Sequence, residues 1–289
     1  TWHQRVQHRP CFMHISFPDP HHPFEVPQRF IDMVRKDKMP KRVPAPECWQ
    51  DLPSHFERHH RGENPLFRGT QDLSNFTEAF WEDIRTCYYG MIMFIDQEIG
   101  RILDVVEKSG EPYLVVFTAD HGELLGDHGL LFKGLFHYDS LIRVPLILSG
   151  SNLSCTGTCV NTPVQQIDIM PTLLEYCGLT VPHECQGVPL PGITRSANDT
   201  PYEYTLTEQR GPWYTPELRT TTLRSERWKL TVHSQSDGGE LYDLQADPDE
   251  QTNLWSASAC ADTRQELLLR LSQRLMTTAP PGGRRIYRA

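Results

Sequence analysis

An acidic residue, a histidine and several glycines lie close together in the segment FTADHGELLGDHG at residues 117–129. Asp120 and His121 supply one carboxylate oxygen and one imidazole nitrogen, a pair of ligands that suits a divalent metal ion. Gly122 allows the chain to turn sharply after them, so that neighbouring side chains can converge. Composition alone also fits a glycine-rich loop whose histidine only caps or packs, so both interpretations stand at this point.

Lys133 and His21 are the other side chains whose chemical types could serve a reaction. Lys133 follows in the same loop, and a lysine beside a metal site can hold an anionic oxygen as a point charge. His21 belongs to PDPHHPF at residues 18–24, where a proline-stiffened loop could present a general acid or bind an oxyanion. Taken singly, an exposed lysine or a pair of surface histidines more commonly has no such role.

Both groups come directly after apolar runs that predict strands. Residues 11–17 predict a buried strand, and residues 113–118 predict a parallel strand buried on both faces, since they follow a long helical pattern. Open α/β sheets bind their ligands outside the carboxyl ends of the strands. We therefore predict that these two strands lie parallel in one sheet and bring His21 and Asp120 into one cleft.

The remaining elements follow from hydrophobic periodicity. Apolar residues recur at helical spacing over 74–109, where Gly90 and Gly100 predict two helices or one bent helix. A strand at 143–148 and a helix at 166–177 follow. The C-terminal part predicts short alternating strands and a closing helix, at 204–207, 220–223, 228–233, 240–244 and 257–277.

These elements predict an α/β domain over residues 1–202 and a smaller antiparallel subdomain with a closing helix over 203–289. The polar, proline-rich stretch 37–69 predicts a long surface excursion, with His55, His59 and His60 exposed on it. Acidic residues at positions 243, 247, 249 and 250 lack the spacing of a calcium loop and predict a solvated turn.

Composition limits the class of protein. The net charge of −9 argues against a nucleic-acid binder. No apolar run approaches the roughly 18 residues of a membrane span. An apolar run begins soon after Thr1, so we expect the sequence to start in the middle of a domain. Compartment and oligomeric state do not follow from the sequence.

Taken together and in order, these motifs resemble a sulfatase of the alkaline-phosphatase superfamily. The resemblance is carried by PHHPF, FIDQEIGR, FTADHGELLGDHG, KG at 133–134, RVPLI, RWKL and ELYDL followed by Asp247-Pro248. It implies an alkaline-phosphatase-like, mostly parallel sheet flanked by helices, with its N-terminal part missing from this sequence. A small C-terminal antiparallel subdomain with a closing helix completes the implied fold.

The resemblance also implies roles for four residues. Asp120 and His121 would be metal ligands, for Ca²⁺ or alternatively for Mn²⁺ or Mg²⁺. Lys133 would bind the sulfate and the leaving-group oxygen, and His21 would contact the sulfate and assist departure of the alcohol. A histidine at position 121 is similar to the pattern of iduronate and choline sulfatases and of phosphonate monoester hydrolases. This leaves open whether the protein prefers sulfate or phosphate substrates.

The family's nucleophile is a formylglycine made from Cys or Ser in the motif C/S-x-P/A-x-R. Cys260 is followed by Arg264 but has Asp262 at the middle position, and Ser16 lacks the arginine. We therefore expect the nucleophile upstream of Thr1, and an isolated chain without activity. The implied substrate is a small-molecule or carbohydrate sulfate ester. The alternatives are a phosphonate monoester or phosphodiester hydrolase and a non-catalytic binding relative.

Overall fold

The computed structural model describes residues 10–63, 71–153, 156–193, 196, 199, 201–211, 218–236 and 238–278. The helices within these residues are α1 (Gln28–Met33), α2 (His55–His60), α3 (Glu78–Lys108), α4 (Asp139–Ile142), α5 (Ile169–Tyr176) and α6 (Ala261–Thr278). The strands are β1 (Leu114–Thr118), β2 (Leu146–Gly150), β3 (Thr205–Arg210), β4 (Arg219–Arg224), β5 (Trp228–His233) and β6 (Gly239–Asp243). None of the helices described here combines the length and hydrophobicity that crossing a bilayer requires.

The chain separates into two compact units that alternate along the sequence. The first unit combines Thr1–Pro40 with Thr77–Glu111, and the second combines Lys41–Phe76 with Pro112–Ala289. Each unit therefore consists of two separate stretches of chain. The division into domains at residue 202 stays a prediction.

Helix α3 is the main element of the first unit. Its 31 residues begin where the Thr77 hydroxyl accepts a hydrogen bond from the Phe80 amide, and they end before Gly110, which has a φ of 70°. A Cβ added at Gly90 would lie 3.1 Å from Val26 Cγ1, so the glycine allows close approach of the chain that leads into α1. Of the two predicted alternatives, two helices or one bent helix over 74–109, the structure has a single helix over Glu78–Lys108, preceded by a 3₁₀ turn at Leu73–Asn75.

The prediction of a buried strand at 11–17 is wrong. This segment has no regular secondary structure, and the side chains of Phe12, Met13 and Ile15 are exposed. An apolar run becomes a strand only where a neighbouring strand satisfies its backbone N–H and C=O groups. No strand among the described residues pairs with this segment.

The prediction of a parallel pairing for the strand at 113–118 is also wrong. Strand β1 pairs antiparallel with β2, and Phe117 lies opposite Ile147 with both side chains exposed. A parallel pair needs a long crossover, usually through a helix. The connection from β1 to β2 contains the one-turn helix α4 and otherwise loop and 3₁₀ structure, and it returns the chain in the opposite direction.

The predicted C-terminal subdomain is confirmed. Strands β3, β4, β5 and β6 form an antiparallel sheet in sequence order. Leu267 and Leu271 of α6 pack against a cluster of sheet residues, Leu223, Leu230 and Leu241. The four-residue spacing along α6 and the alternation along the strands therefore meet in one hydrophobic core.

The prediction of exposed histidines at 55–60 is wrong. Helix α2 contributes Phe56 to the larger core of the second unit, and His59 is buried. His55 and His60 are partly buried as well. An imidazole ring tolerates this burial because it is largely apolar and its N–H groups find acceptors, which are backbone carbonyls in this case.

The acidic residues at 243, 247, 249 and 250 were predicted to form a solvated turn, which is right for Asp247 and Asp249 but wrong for Asp243 and Glu250, since both of these are buried. Asp247 accepts hydrogen bonds from the backbone N–H groups of Gln251 and Thr252, as a turn-forming aspartate does. Glu250 instead is buried and forms an ion pair with the buried Lys229.

Lowering the pH from about 7 to about 5 should destabilise the protein through His55. Burial, more than any other effect, lowers the pKa of His55 from 6.5 to about 4. Between these values the unfolded chain binds a proton that the folded protein does not, so stability falls with falling pH, by about 2 kcal/mol at pH 5. Urea unfolding at both pH values measures this change.

A His55→Gln variant provides the control for this prediction. Glutamine keeps an N–H donor for the Leu135 carbonyl but does not titrate, so the variant should lose less stability between the two pH values. An equal loss in both proteins would show that His55 does not contribute.

Candidate functional site

The side chain of Gln166 holds the start of the loop that follows β1. The Gln166 amide nitrogen lies 2.5 Å from the carbonyl oxygen of Ala119 and 3.4 Å from that of Asp120. These bonds fix the backbone on which Asp120 and His121 stand. Gln166 was predicted to begin a helix, but no sequence pattern indicated this contact.

Asp120, His121 and Lys133 come together at this point. The His121 backbone N–H donates to Asp120 Oδ1 over 2.9 Å. The His121 Nε2 atom lies 3.6 Å from Asp120 Oδ2 and 3.1 Å from Lys133 Nζ. The Asp120 side chain is 88% exposed, whereas that of His121 is 34% exposed. A carboxylate, an imidazole and an ammonium group thus share one small region of the loop.

The tautomer of His121 follows from its neighbours. The Nδ1 atom lies 2.7 Å from the Gly122 carbonyl oxygen, which can only accept a hydrogen bond, so the proton belongs on Nδ1. In the neutral ring, Nε2 then carries the lone pair and is the atom that can accept from Lys133 or bind a cation.

Asp120 and His121 together fit part of a metal site. The exposed carboxylate and the Nε2 lone pair are an oxygen and a nitrogen ligand close enough to share a cation. Within the described part of the chain, no group of three or more His, Cys, Asp or Glu side chains is arranged to hold a metal ion. The two residues could therefore supply two ligands of a larger set.

Gly122 is required by a close approach of two backbone segments. Its N–H donates to the Leu141 carbonyl over 2.7 Å, and a Cβ at this position would lie 2.0 Å from the Ser140 carbonyl oxygen. The sequence indicated a sharp turn at this glycine. The structure shows that the missing side chain matters because the backbone of α4 at Ser140 and Leu141 passes directly beside it.

Gly122→Ala should destabilise the protein by about 1–3 kcal/mol, because the added methyl group can fit only if backbone moves. Gly100→Ala is a matched control in α3, where an added Cβ meets nothing within 4 Å. That change should stabilise by about 0.5–1 kcal/mol. Thermal unfolding of both variants measures the difference, and a Gly122→Ala protein as stable as wild type would contradict the expected clash.

Three non-glycine residues in the loop between His121 and Lys133 have positive φ angles. Leu125, His128 and Phe132 have φ values of 47°, 55° and 67°, in the left-handed region that non-glycine residues seldom adopt. Such conformations persist when surrounding contacts impose them, and they are common at functional sites. Burial also raises the pKa of the Glu123 carboxyl in this loop to about 7. The sequence did not single out any of these residues.

His21 lies in the first compact unit, whereas Asp120, His121 and Lys133 lie in the second. The His21 side chain is exposed, its Nδ1 lies 2.7 Å from the His22 carbonyl, and the two rings stack at 4.1 Å. The structure thus brings three of the four predicted residues together. The predicted cleft between His21 and Asp120 stays a prediction.

Two family models match the chain. The sulfatase model covers residues 1–179, and the model for the C-terminal part of N-sulphoglucosamine sulphohydrolase covers residues 126–277. The chain is also similar to an arylsulfatase of Clostridium perfringens, with 28% identity over 87% of this chain and 50% of that protein. The chain spans about half the length of the curated relatives it matches.

Two further proteins are similar as well. The multifunctional alkaline phosphatase superfamily protein PehA of Trinickia caryophylli is 29% identical, over 85% of this chain and 52% of that protein. The phosphonate monoester hydrolase of Agrobacterium radiobacter has a TM-score of 0.79 at 25% identity, over 95% of this chain and 58% of that structure. This similarity confirms the predicted alkaline-phosphatase-like fold class, although both sheets among the described residues are antiparallel rather than mostly parallel. Because the sulfatase model matches more than half of its residues, the chain belongs to the sulfatase family, within the alkaline phosphatase superfamily.

Proposed function

We propose that the protein is a sulfuric ester hydrolase. One observation carries the proposal: the loop after β1 places the His121 imidazole 3.6 Å from the Asp120 carboxylate and 3.1 Å from the Lys133 ammonium group. Oriented charges of this kind can stabilise an anionic group whose charge shifts during reaction. Membership of the sulfatase family supports the same reaction class.

Each residue has a proposed role. Lys133 binds a sulfate oxygen and the leaving-group oxygen as a compact point charge. His21 contacts the sulfate and gives a proton to the departing alcohol. A divalent cation held by Asp120 and His121, with Ca²⁺ proposed first and Mn²⁺ or Mg²⁺ as alternatives, would neutralise negative charge on the sulfate group.

The nucleophile is proposed to be a formylglycine supplied N-terminal to Thr1, as the family resemblance implies. The motif C/S-x-P/A-x-R does not occur in the 289 residues. Cys260 lies in the short turn that leads into α6 and packs on the C-terminal hydrophobic cluster. A packing role for Cys260 accounts for its position without any part in the reaction.

The proposed substrate is a small-molecule or carbohydrate sulfate ester. The match to the C-terminal part of N-sulphoglucosamine sulphohydrolase supports a sulfated sugar, since that relative is named for one. Phosphonate monoester hydrolysis is the second candidate, favoured by the likeness to the Agrobacterium radiobacter enzyme.

A substrate panel tests the proposal with the full-length protein. Initial rates are compared for an aryl sulfate, an aryl phosphonate monoester and a bis-aryl phosphodiester. The proposal expects the highest kcat/KM with the sulfate. A preference for the phosphonate establishes the second candidate instead. If a folded, metal-supplemented protein hydrolyses none of the three substrates, a non-catalytic relative is favoured.

Residues 1–289 alone are expected to show no sulfatase turnover, because metal ligands without an activated nucleophile leave covalent catalysis unavailable. The measurement is aryl sulfate hydrolysis by the purified chain, beside a Cys260→Ala variant. Turnover that is present in the chain and lost in this variant would show that Cys260 is the nucleophile and that the proposed upstream segment is not needed.

A further inference from the structure

One face of helix α2 binds the loop that carries Lys133. His59 Nε2 lies 3.1 Å from the carbonyl oxygen of Leu131, and His55 Nε2 lies 3.2 Å from that of Leu135. One turn of helix separates the two histidines, and the two carbonyls are likewise four residues apart. We call these two bonds the histidine clasp.

A third histidine of α2 contacts the same loop. His60 Nδ1 lies 2.7 Å from the carbonyl oxygen of Gly129, earlier in the loop. The ring of Phe136 also packs on α2, with centroids 5.5 Å from His55 and 4.8 Å from His59. Helix α2 therefore contacts the loop through both polar and apolar groups.

Lys133 occupies the centre of the clasped segment. The clasp holds the carbonyl two residues before Lys133 and the carbonyl two residues after it. Between them, Phe132 has a φ of 67°, which an unrestrained phenylalanine seldom adopts. A backbone conformation of this kind needs contacts on both sides to keep it, and the clasp supplies them.

The histidines suit this role because carbonyl oxygens accept but do not donate. Each ring must present an N–H at the bonding nitrogen, which the neutral ring can do with its other nitrogen unprotonated. Burial lowers the pKa of both His55 and His59, so the rings remain neutral around neutral pH. The clasp thus binds the loop without adding positive charge beside Lys133.

We propose that His55 and His59 are positioning residues that hold the Lys133 ammonium group where it acts on the substrate. This inference rests on the proposed function, in which Lys133 binds the sulfate and the leaving-group oxygen. Catalytic groups lose much of their effect when displaced by about 1 Å. A loop released from the clasp should therefore lose turnover even where the protein remains folded.

The test is a double-mutant cycle between His59 and Lys133 in the full-length enzyme, with aryl sulfate as substrate. His59→Leu removes the donor, and His59→Gln places an amide N–H at the same number of bonds from the backbone. We expect His59→Leu to lower kcat about tenfold or more in the wild-type background and less than about twofold in Lys133→Ala, since coupled residues are not additive. His59→Gln should recover most of the loss.

A merely structural role gives a different result. His59→Leu would then lower the rate by the same factor in both backgrounds, and this outcome would overturn the proposal. His137→Leu is the matched control, because His137 is also buried but bonds the side chains of Thr222 and Gln209. If His59→Leu does not fold, the cycle is run with His55→Leu, on the other side of Lys133.

A second measurement separates this inference from the proposed function. Amide hydrogen exchange is followed in peptides that cover residues 129–136, in wild type and in His59→Leu. Faster exchange confined to this segment supports the clasp, and unchanged exchange overturns it. A wild-type protein that turns over neither sulfate nor phosphonate esters would remove the proposed function, and the exchange result alone would then decide whether the clasp orders the loop.

Discussion

Under the proposed function, Lys133→Ala in the full-length protein should lower kcat with an aryl sulfate by about a hundredfold or more, comparable to the loss of one preorganised oxyanion donor. The ammonium group lies 3.1 Å from His121 on a half-buried loop, so it is held rather than free in solvent. If it binds oxygens whose negative charge grows as the ester bond breaks, it stabilises the transition state more than the bound substrate. Its loss should therefore appear in kcat as well as in KM.

Three further variants make this prediction specific. Lys133→Arg should recover only part of the activity, because a broad planar guanidinium cannot replace a compact ammonium without shifting its neighbours. Asp120→Ala should instead weaken metal affinity, so that excess metal restores some activity. Lys108→Ala is the control, since the side chain of that lysine is 75% exposed and forms a surface ion pair with Asp104. Wild-type kcat in a folded Lys133→Ala protein would remove Lys133 from the site.

Much of the fold could be predicted where a residue's environment depends on its neighbours in sequence. The four-residue spacing of Leu267 and Leu271 predicted the buried face of α6, and the short alternating runs predicted the strands of the C-terminal sheet. The order of the motifs was enough to indicate the family. The grouping of Asp120, His121 and Lys133 could be predicted because all three residues lie in one loop, although twelve residues separate His121 from Lys133.

The errors concern contacts between distant parts of the chain. Phe12 and Ile15 are as apolar as core residues, but a sequence does not say whether a neighbouring strand will pair with them. His59 lies in a polar, proline-rich stretch typical of a surface segment, and its burial depends on the carbonyl of Leu131, 72 residues away, and on the ring of Phe136. A polar side chain is buried when a partner is brought to it by the fold, and no local pattern specifies that partner.

Lys229 is the clearest such case, and the second large effect is expected there. This residue of β5 is 1% exposed, and its ammonium group forms an ion pair with Glu250, which is 3% exposed. The same ammonium group donates to the His137 carbonyl over 2.6 Å and lies 3.5 Å from Asp139. Burial lowers the pKa of Lys229 to about 8, so the group still carries its charge at neutral pH.

The two carboxylates differ in what else holds them. Asp139 is also bound by the Arg224 guanidinium, through hydrogen bonds of 3.1 and 2.8 Å. Glu250 accepts the backbone N–H of Asp139 at the start of α4, over 2.7 Å, and among the described residues Lys229 is the only cation that forms an ion pair with it. Loss of the Lys229 charge should therefore affect Glu250 far more than Asp139.

Lys229→Met should destabilise the protein by about 3–5 kcal/mol, because it keeps the side-chain volume but leaves a buried carboxylate uncompensated. Adding Glu250→Gln should recover a substantial part of that loss, since a neutral amide can stay buried and still accept the Asp139 N–H. Urea unfolding of the single and double variants measures both effects. Lys108→Met is the control at an exposed pair, where ion pairs contribute little. If the double variant is less stable than Lys229→Met, the loss comes from packing around the lysine stem, and the unpaired carboxylate is not its cause.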